Sequence, residues 1–226
     1  MDGFEDVQQA MRYVADYWIK RKWTFLNEAN EEFVAFVDPA FYYQECLTPD
    51  EVASVSMCFT EWVLFERPLR RGKTPLQILR DDPPQDAPEG LADILRAVVA
   101  SQVFSRFAIC DKDVASGMTV LRDVRTDCRY DVLDPHICAM EHWGAGTVAV
   151  RIARVRGTWQ PVGQVYLYDH VPAQENAIDG PGEMHPEDYL CKPEAEHASF
   201  YLRLLRDILG IDGRYHKSAR VRGRAA

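Results

Sequence analysis

The chain has 226 residues, 47% hydrophobic and 27% charged, which is ordinary globular usage; it argues against disorder and supplies a core that needs neither disulfides nor metal to fold. The net charge of −9 is uneven: Arg214, Lys217, Arg220, Arg222 and Arg224 put +5 on the last thirteen residues and leave −14 on the rest. An acidic body repels phosphate backbones, which argues against nucleic-acid binding by the folded part and leaves only the basic tail for it.

The first predicted element is an amphipathic helix on which Phe4, Val7, Met11, Val14 and Trp18 recur at steps of three and four. A short second helix is expected over 30–37, ending before Pro39. Thr48-Pro49-Asp50-Glu51 then supplies an N-cap hydroxyl, a proline at N1 and an acid at N3. The helix that follows, Val52 to Phe65, is apolar on almost every side and reads as central and buried. Thr74-Pro75 opens another helix, and an acidic, proline-rich loop leads to one more over 89–101, with Leu91, Ile94, Leu95 and Val98 on one face.

From Val103 the hydrophobic period changes to alternation. Strands are expected over 103–110, 117–124, 128–133, 147–155 and 158–168, joined by short turns such as Arg156-Gly157. A polar loop over 171–192 precedes a closing helix over 193–212 and a basic, disordered tail over 213–226. The resulting fold class is α+β: a helical region over 1–101, then a small antiparallel β-barrel or meander, SH3-like, over 102–170, then a C-terminal helix.

Six cysteines without a CxxC pair, of which Cys46, Cys58, Cys110 and Cys138 stand among apolar neighbours, point to a reducing compartment. Asp2, Glu5 and Asp6 occupy the place of a cationic signal region, and no apolar run reaches membrane-spanning length. The expected location is cytoplasmic, with no membrane partner.

Three groups of residues suggest chemistry. His136, Cys138 and His142 offer two imidazoles and a thiol, a partial zinc set lacking a fourth ligand; packed or exposed histidines are the plainer reading, and no metal or other cofactor is expected. Glu61 lies mid-helix between Cys58 and Trp62. A carboxylate so placed is buried and needs a partner, and Arg12, Arg21, Arg67, Arg70 and Arg71 are available; the plain reading is an ion pair, the sharper one a catalytic carboxylate. Asp123 and Asp127, with Asp131 and Asp134, crowd the second and third strands, where acid/base work or divalent-ion binding competes with simple turn chemistry. Trp143, Trp159, Tyr166 and Tyr168 form a candidate aromatic binding surface.

The run from Phe59 to Leu69, followed by Gly72-Lys73-Thr74-Pro75-Leu76, resembles a group of uncharacterised bacterial proteins, many of which end in a SEC-C-type zinc motif. Leu121 to Asp127 and Val148 to Ile152 add to the likeness, which spans about residues 50–170. The tail from Arg214 has no cysteine, so the zinc motif itself is absent, and the resemblance implies no catalytic residues. The expected function is a non-catalytic intracellular binding or adaptor protein with a protein partner. The competing expectation is a small hydrolase or metal-dependent enzyme using Glu61, Asp123 or Asp127, which requires those carboxylates to converge in a pocket.

Overall fold

The computed structural model describes residues 2–37, 49–144 and 146–170. The expected loop, closing helix and basic tail beyond residue 170 lie outside them, as does Thr48. Helix α1 (Asp2–Ile19) buries Val7, Ala10, Met11, Val14 and Trp18 along one stripe and leaves Glu5, Arg12 and Asp16 exposed. A 3₁₀ turn (Lys22–Thr24) leads to α2 (Leu26–Val37), which starts earlier than its apolar period suggests and seats Ala29 and Phe33 in the core.

Helix α3 (Pro49–Phe65) runs as its start signal predicts, and its end, Trp62-Val63-Leu64-Phe65, is wholly buried. The expectation that it lacks a solvent face is corrected: Val52 and Met57 are 50% and 39% exposed, and Ala53 and Ser56 are exposed beside them. Apolar composition alone does not place a helix centrally, because burial depends on which neighbours reach it. Just past α3, Arg67 is buried and gripped by both carboxylate oxygens of Glu32, each at 2.8 Å, which ties α2 to α3. Helix α4 (Pro75–Asp81) opens with a complete capping box: the Thr74 hydroxyl accepts the Gln77 amide and Gln77 Oε1 accepts the Thr74 amide. Helix α5 (Leu91–Ser101) buries Leu91, Ile94, Leu95 and Val98.

No strand precedes Val103 among the described residues. Strands β1 (Val103–Asp113), β2 (Met118–Asp123), β3 (Arg129–Leu133), β4 (Thr147–Val155) and β5 (Thr158–Pro161) are ordered β1-β2-β3-β5-β4, and β4 pairs back onto β1 to close a small barrel. A short β6 (Leu167–Asp169) lies along β4, and a short helix α6 (Pro135–Ala139) links β3 to β4. The antiparallel, SH3-like meander is therefore corrected to a mixed barrel. The chain reverses tightly at Arg156-Gly157, both with positive φ as a two-residue hairpin turn requires, and β5 then runs antiparallel to β4. Its far edge meets β3 in parallel, at Val132 opposite Trp159, because α6 has already carried the chain across the barrel.

Two cores result, and β4 separates them. Val148, Val150 and Ile152 point into the barrel with Phe107, Ile109 and Leu121, while Ala149, Ala153 and Val155 face the helices. A strand buried on both faces has no place for an uncompensated charge, which makes Arg151, on the helix-facing side between the two alanines, the residue to explain. No disulfide forms among the described residues; Cys58 and Cys138 are buried, whereas Cys110 is exposed at the bulge in β1, contrary to its apolar sequence surroundings. Among the described residues no helix is long and apolar enough to cross a membrane.

Candidate functional site

The expected burial of Glu61 is met, with a partner absent from the list of arginines near it in sequence. Glu61 Oε1 accepts a hydrogen bond from Arg151 Nε at 3.0 Å, and both side chains are within a few per cent of complete burial. Arg151 also donates from Nη1 to Gln102 Oε1 at 2.9 Å, and its Nη2 lies 2.7 Å from Glu66 Oε1. Its guanidinium carbon stands 4.4 Å from the Phe65 ring centroid and 5.2 Å from that of Phe104, so aromatic faces flank the charge.

The other oxygen of Glu61 completes a strand. The sequence suggests one strand over 158–168, but β5 ends at Pro161, the Val162 and Gly163 amides both turn to the Arg151 carbonyl, and pairing with β4 resumes only at Leu167. Between Ile152 opposite Pro161 and Ala149 opposite Leu167, this edge is three residues longer than β4. The excess leaves the Val165 amide without a ladder partner, and Glu61 Oε2 accepts it at 3.2 Å. Gly163 makes the approach possible: a Cβ there would overlap Glu61 Oε2 and sit 2.8 Å from Glu61 Cδ. Desolvation raises the Glu61 pKa above the usual carboxylate value, and it outweighs the opposing pull of Arg151 and the Val165 amide.

Glu61 also borders a cavity of about 230 Å³ between α1, α3 and the β5–β6 connection. Met11, Ala15 and Ile19 supply one wall, Ser56, Met57, Thr60 and Leu64 another, and Val162, Gly163 and Gln164 the third.

Asp123 and Asp127 do not join this site. Asp123 is buried at the end of β2, where its Oδ1 accepts the Arg125 and Thr126 amides at 2.8 and 3.1 Å and so builds the β2–β3 turn. Asp127 takes positive φ in that turn, and its exposed carboxylate pairs with Arg122 Nη1 at 2.7 Å. The convergence that the competing enzyme expectation requires is not found for these three: Glu61 serves the seam between helices and barrel, and the two aspartates serve a turn.

His136, Cys138 and His142 are likewise not brought together. Asp134-Pro135 starts a helix rather than continuing a strand, with Asp134 Oδ1 accepting the amides of His136 and Ile137 at 3.0 and 3.1 Å. On that turn His136 faces outward, while Cys138 turns inward and its thiol donates to the Met118 carbonyl at 3.3 Å. Among the described residues no three His, Cys, Asp or Glu side chains gather as a metal-ligand set.

The aromatic candidates divide. Trp143 stacks on Tyr168 at 5.0 Å between centroids with 11° between planes, and Tyr166 lies 6.2 Å from Trp143. Exposed histidines surround this pair: His136 is 4.7 Å from Tyr166, His142 is 6.1 Å from Trp143, and His170 is 4.8 Å from Tyr168. Asp134, fully buried, anchors the group by accepting the Tyr166 hydroxyl at 3.1 Å. Desolvation raises the Asp134 pKa; desolvation, with Asp134 adding to it, holds the Tyr166 hydroxyl well above its usual value. Trp159 belongs elsewhere, edge-on to Tyr130 at 4.9 Å on the β3–β5 seam.

Comparison of the chain with protein-family models, curated proteins and solved structures finds no match.

Sequence reasoning missed Arg151, Gly163 and His170. Arg151 alternates with Val150 and Ile152 and so reads as a residue of a solvent face. The usable signal was its flanks, because Ala149 and Ala153 share its face and small apolar residues there indicate packing against another layer.

Proposed function

We propose that the chain is a non-catalytic binding module that engages a protein partner through the barrel end built from Trp143, Tyr166 and Tyr168. The supporting observation is that this aromatic group is ringed by the exposed His136, His142 and His170, while the candidate carboxylates are each engaged in holding the fold. Trp143 is itself buried in the barrel core, so the contact surface would be the partly buried Tyr166 and Tyr168 held against it, with the histidines at their rim; such a surface suits recognition of a polypeptide segment, since aromatic side chains lose little conformational entropy on contact. The hydrolase reading requires a shared pocket for Glu61, Asp123 and Asp127, and the separate placement of these three counts against it.

The test is affinity capture from the native host with the wild-type chain and with the combined variant His136→Ala, His142→Ala, Tyr168→Ala, followed by titration of the purified partner. The reading expects a partner that binds the wild type and loses about tenfold or more in affinity for the variant, roughly the loss of one hot-spot contact. A purified partner that binds both forms equally overturns it.

A second reading rests on the strand order. A closed order β1-β2-β3-β5-β4 with a helix between β3 and β4 suggests an OB-type barrel rather than an SH3-like one, and such barrels can bind oligonucleotides on the β2–β3 face. Arg122 and Arg129 pair across that face, and Arg125 lies in the adjoining turn. Fluorescence anisotropy with single-stranded DNA and RNA at several salt concentrations tests it: salt-dependent binding lost on replacing Arg122 and Arg129 supports it, and no binding at low salt refutes it.

A further inference from the structure

We propose that the cavity between α1, α3 and the β5–β6 connection is a binding site for a small primary alkylammonium ligand, with Glu61 as its counter-ion. The two kinds of lining in this cavity match the two ends of such a molecule. Met11, Ala15, Ile19, Leu64 and Val162 offer an apolar surface for the alkyl chain. Glu61 and its neighbour Thr60, with Ser56 one turn before them on α3, offer oxygen acceptors. The two hydroxyls already donate to carbonyls one turn back, Thr60 to Ser56 and Ser56 to Val52, so a further contact to either oxygen is made to its lone pairs. Each Glu61 oxygen accepts one described hydrogen bond, one from Arg151 and one from Val165, and a carboxylate oxygen has room for a second.

Charge selects the sign of the head group. Glu61 and Glu66 share the single guanidinium of Arg151, which leaves the trio at a formal −1 when both acids are ionised. Among the described residues the lining contains no Lys, Arg or His to supply the missing positive charge. An ammonium group supplies it together with three donors, matching the carboxylate and hydroxyl acceptors. A carboxylate ligand would add a second uncompensated charge beside Glu61, and a neutral one would leave the imbalance in place. Burial disfavours the charge on Glu61, so a cation placed beside it would stabilise the ionised form. The volume, about 230 Å³, falls below the roughly 300–1,000 Å³ of pockets that take drug-sized molecules, so the ligand is small.

The experiment uses the full chain with ¹³C-methyl-labelled methionine, since Met11 and Met57 line the cavity and report on it directly. Pentylamine, 1-pentanol and pentanoate, which share one tail length, are titrated in parallel. The proposal expects saturable shifts of the Met11 and Met57 methyls, with pentylamine binding about tenfold or more tightly than pentanol, the effect of one charge-assisted hydrogen bond, and pentanoate weakest. Glu61→Gln should bring amine and alcohol to similar affinity. Ala15→Leu, which fills the cavity from α1 and leaves Glu61 intact, should abolish binding of both and serves if Glu61→Gln does not fold. Equal affinity for amine and alcohol in the wild type, shifts that do not involve Met11 and Met57, or amine binding that survives Ala15→Leu would each overturn the proposal.

Discussion

Glu61→Ala is the most direct test of how the helical layer is held to the barrel. It deletes the acceptor for Arg151 Nε and for the Val165 amide in one step. Removing one member of a buried ion pair costs on the order of 3–5 kcal/mol, because the remaining charge is stranded. Here Arg151 keeps Gln102 at 2.9 Å and Glu66 at 2.7 Å, which places the expected loss at the lower end, about 3 kcal/mol. Glu66→Ala should cost about 1 kcal/mol, since Glu66 retains partial solvent contact and leaves the Glu61–Arg151 bond intact. Urea unfolding followed by tryptophan fluorescence measures both. The pH dependence supplies a second readout. Burial raises the folded pKa of Glu61, so folding favours the protonated form. That contribution is fully present below the unfolded value of about 4.3 and is lost as pH rises through the higher folded value. The deficit of Glu61→Gln relative to wild type should therefore shrink as pH rises through that window. A deficit that grows with pH would mean that Arg151 outweighs desolvation. A loss below about 1 kcal/mol for Glu61→Ala would mean that the seam does not depend on this pair.

Gly163→Ala should destabilise by about 1–3 kcal/mol, because its methyl overlaps the Glu61 carboxylate, and the cost should largely vanish in a Glu61→Ala background. A double-mutant cycle by urea unfolding reads this, and full additivity would refute the steric account. Asp134→Ala should cost about 2 kcal/mol through two lost cap bonds and a stranded Tyr166 hydroxyl, against about 1 kcal/mol for Tyr166→Phe by the same assay. Thr74→Ala should lower stability by about 1 kcal/mol through loss of the capping box, and restoration by Thr74→Ser would identify the hydroxyl as the cause.

Local signals carried most of the helices and strands. Thr74-Pro75 and the period of α1 are read by chemistry within a few residues, and the structure follows them. The change of period at Val103 marked the start of the sheet for the same reason. The barrel topology was less legible, because strand order depends on which edge a chain meets after a turn, and α6 redirects it with only Asp134-Pro135 as a clue. In the sequence Asp134 reads as one of several clustered carboxylates, whereas its chemistry is that of a helix cap. The single strand expected over 158–168 failed at Pro161 and Gly163, where proline lacks a ladder donor and glycine admits a close approach. At the candidate site, the need of Glu61 for a cation was legible from its apolar surroundings. The identity of that cation was not, because Arg151 is 90 residues away and every nearer arginine was a plausible choice.

These placements explain why counting carboxylates misleads in this chain. Asp123, Asp134 and Glu61 are all buried, and each accepts backbone amides that regular structure leaves unpaired: in a turn, at a helix start and in a strand interruption. A buried acid in such a role is held by geometry, and removing it damages the fold before it can reveal chemistry. Glu61 differs in one respect, because a cavity adjoins it and its charge is shared with Glu66 against a single arginine. Function and fold can therefore be separated at Glu61 with a variant that keeps the acceptor and removes the charge. Glu61→Gln retains an oxygen for Val165 or Arg151 and should stay folded, so a change in what the cavity binds would come from the charge and not from collapse of the seam.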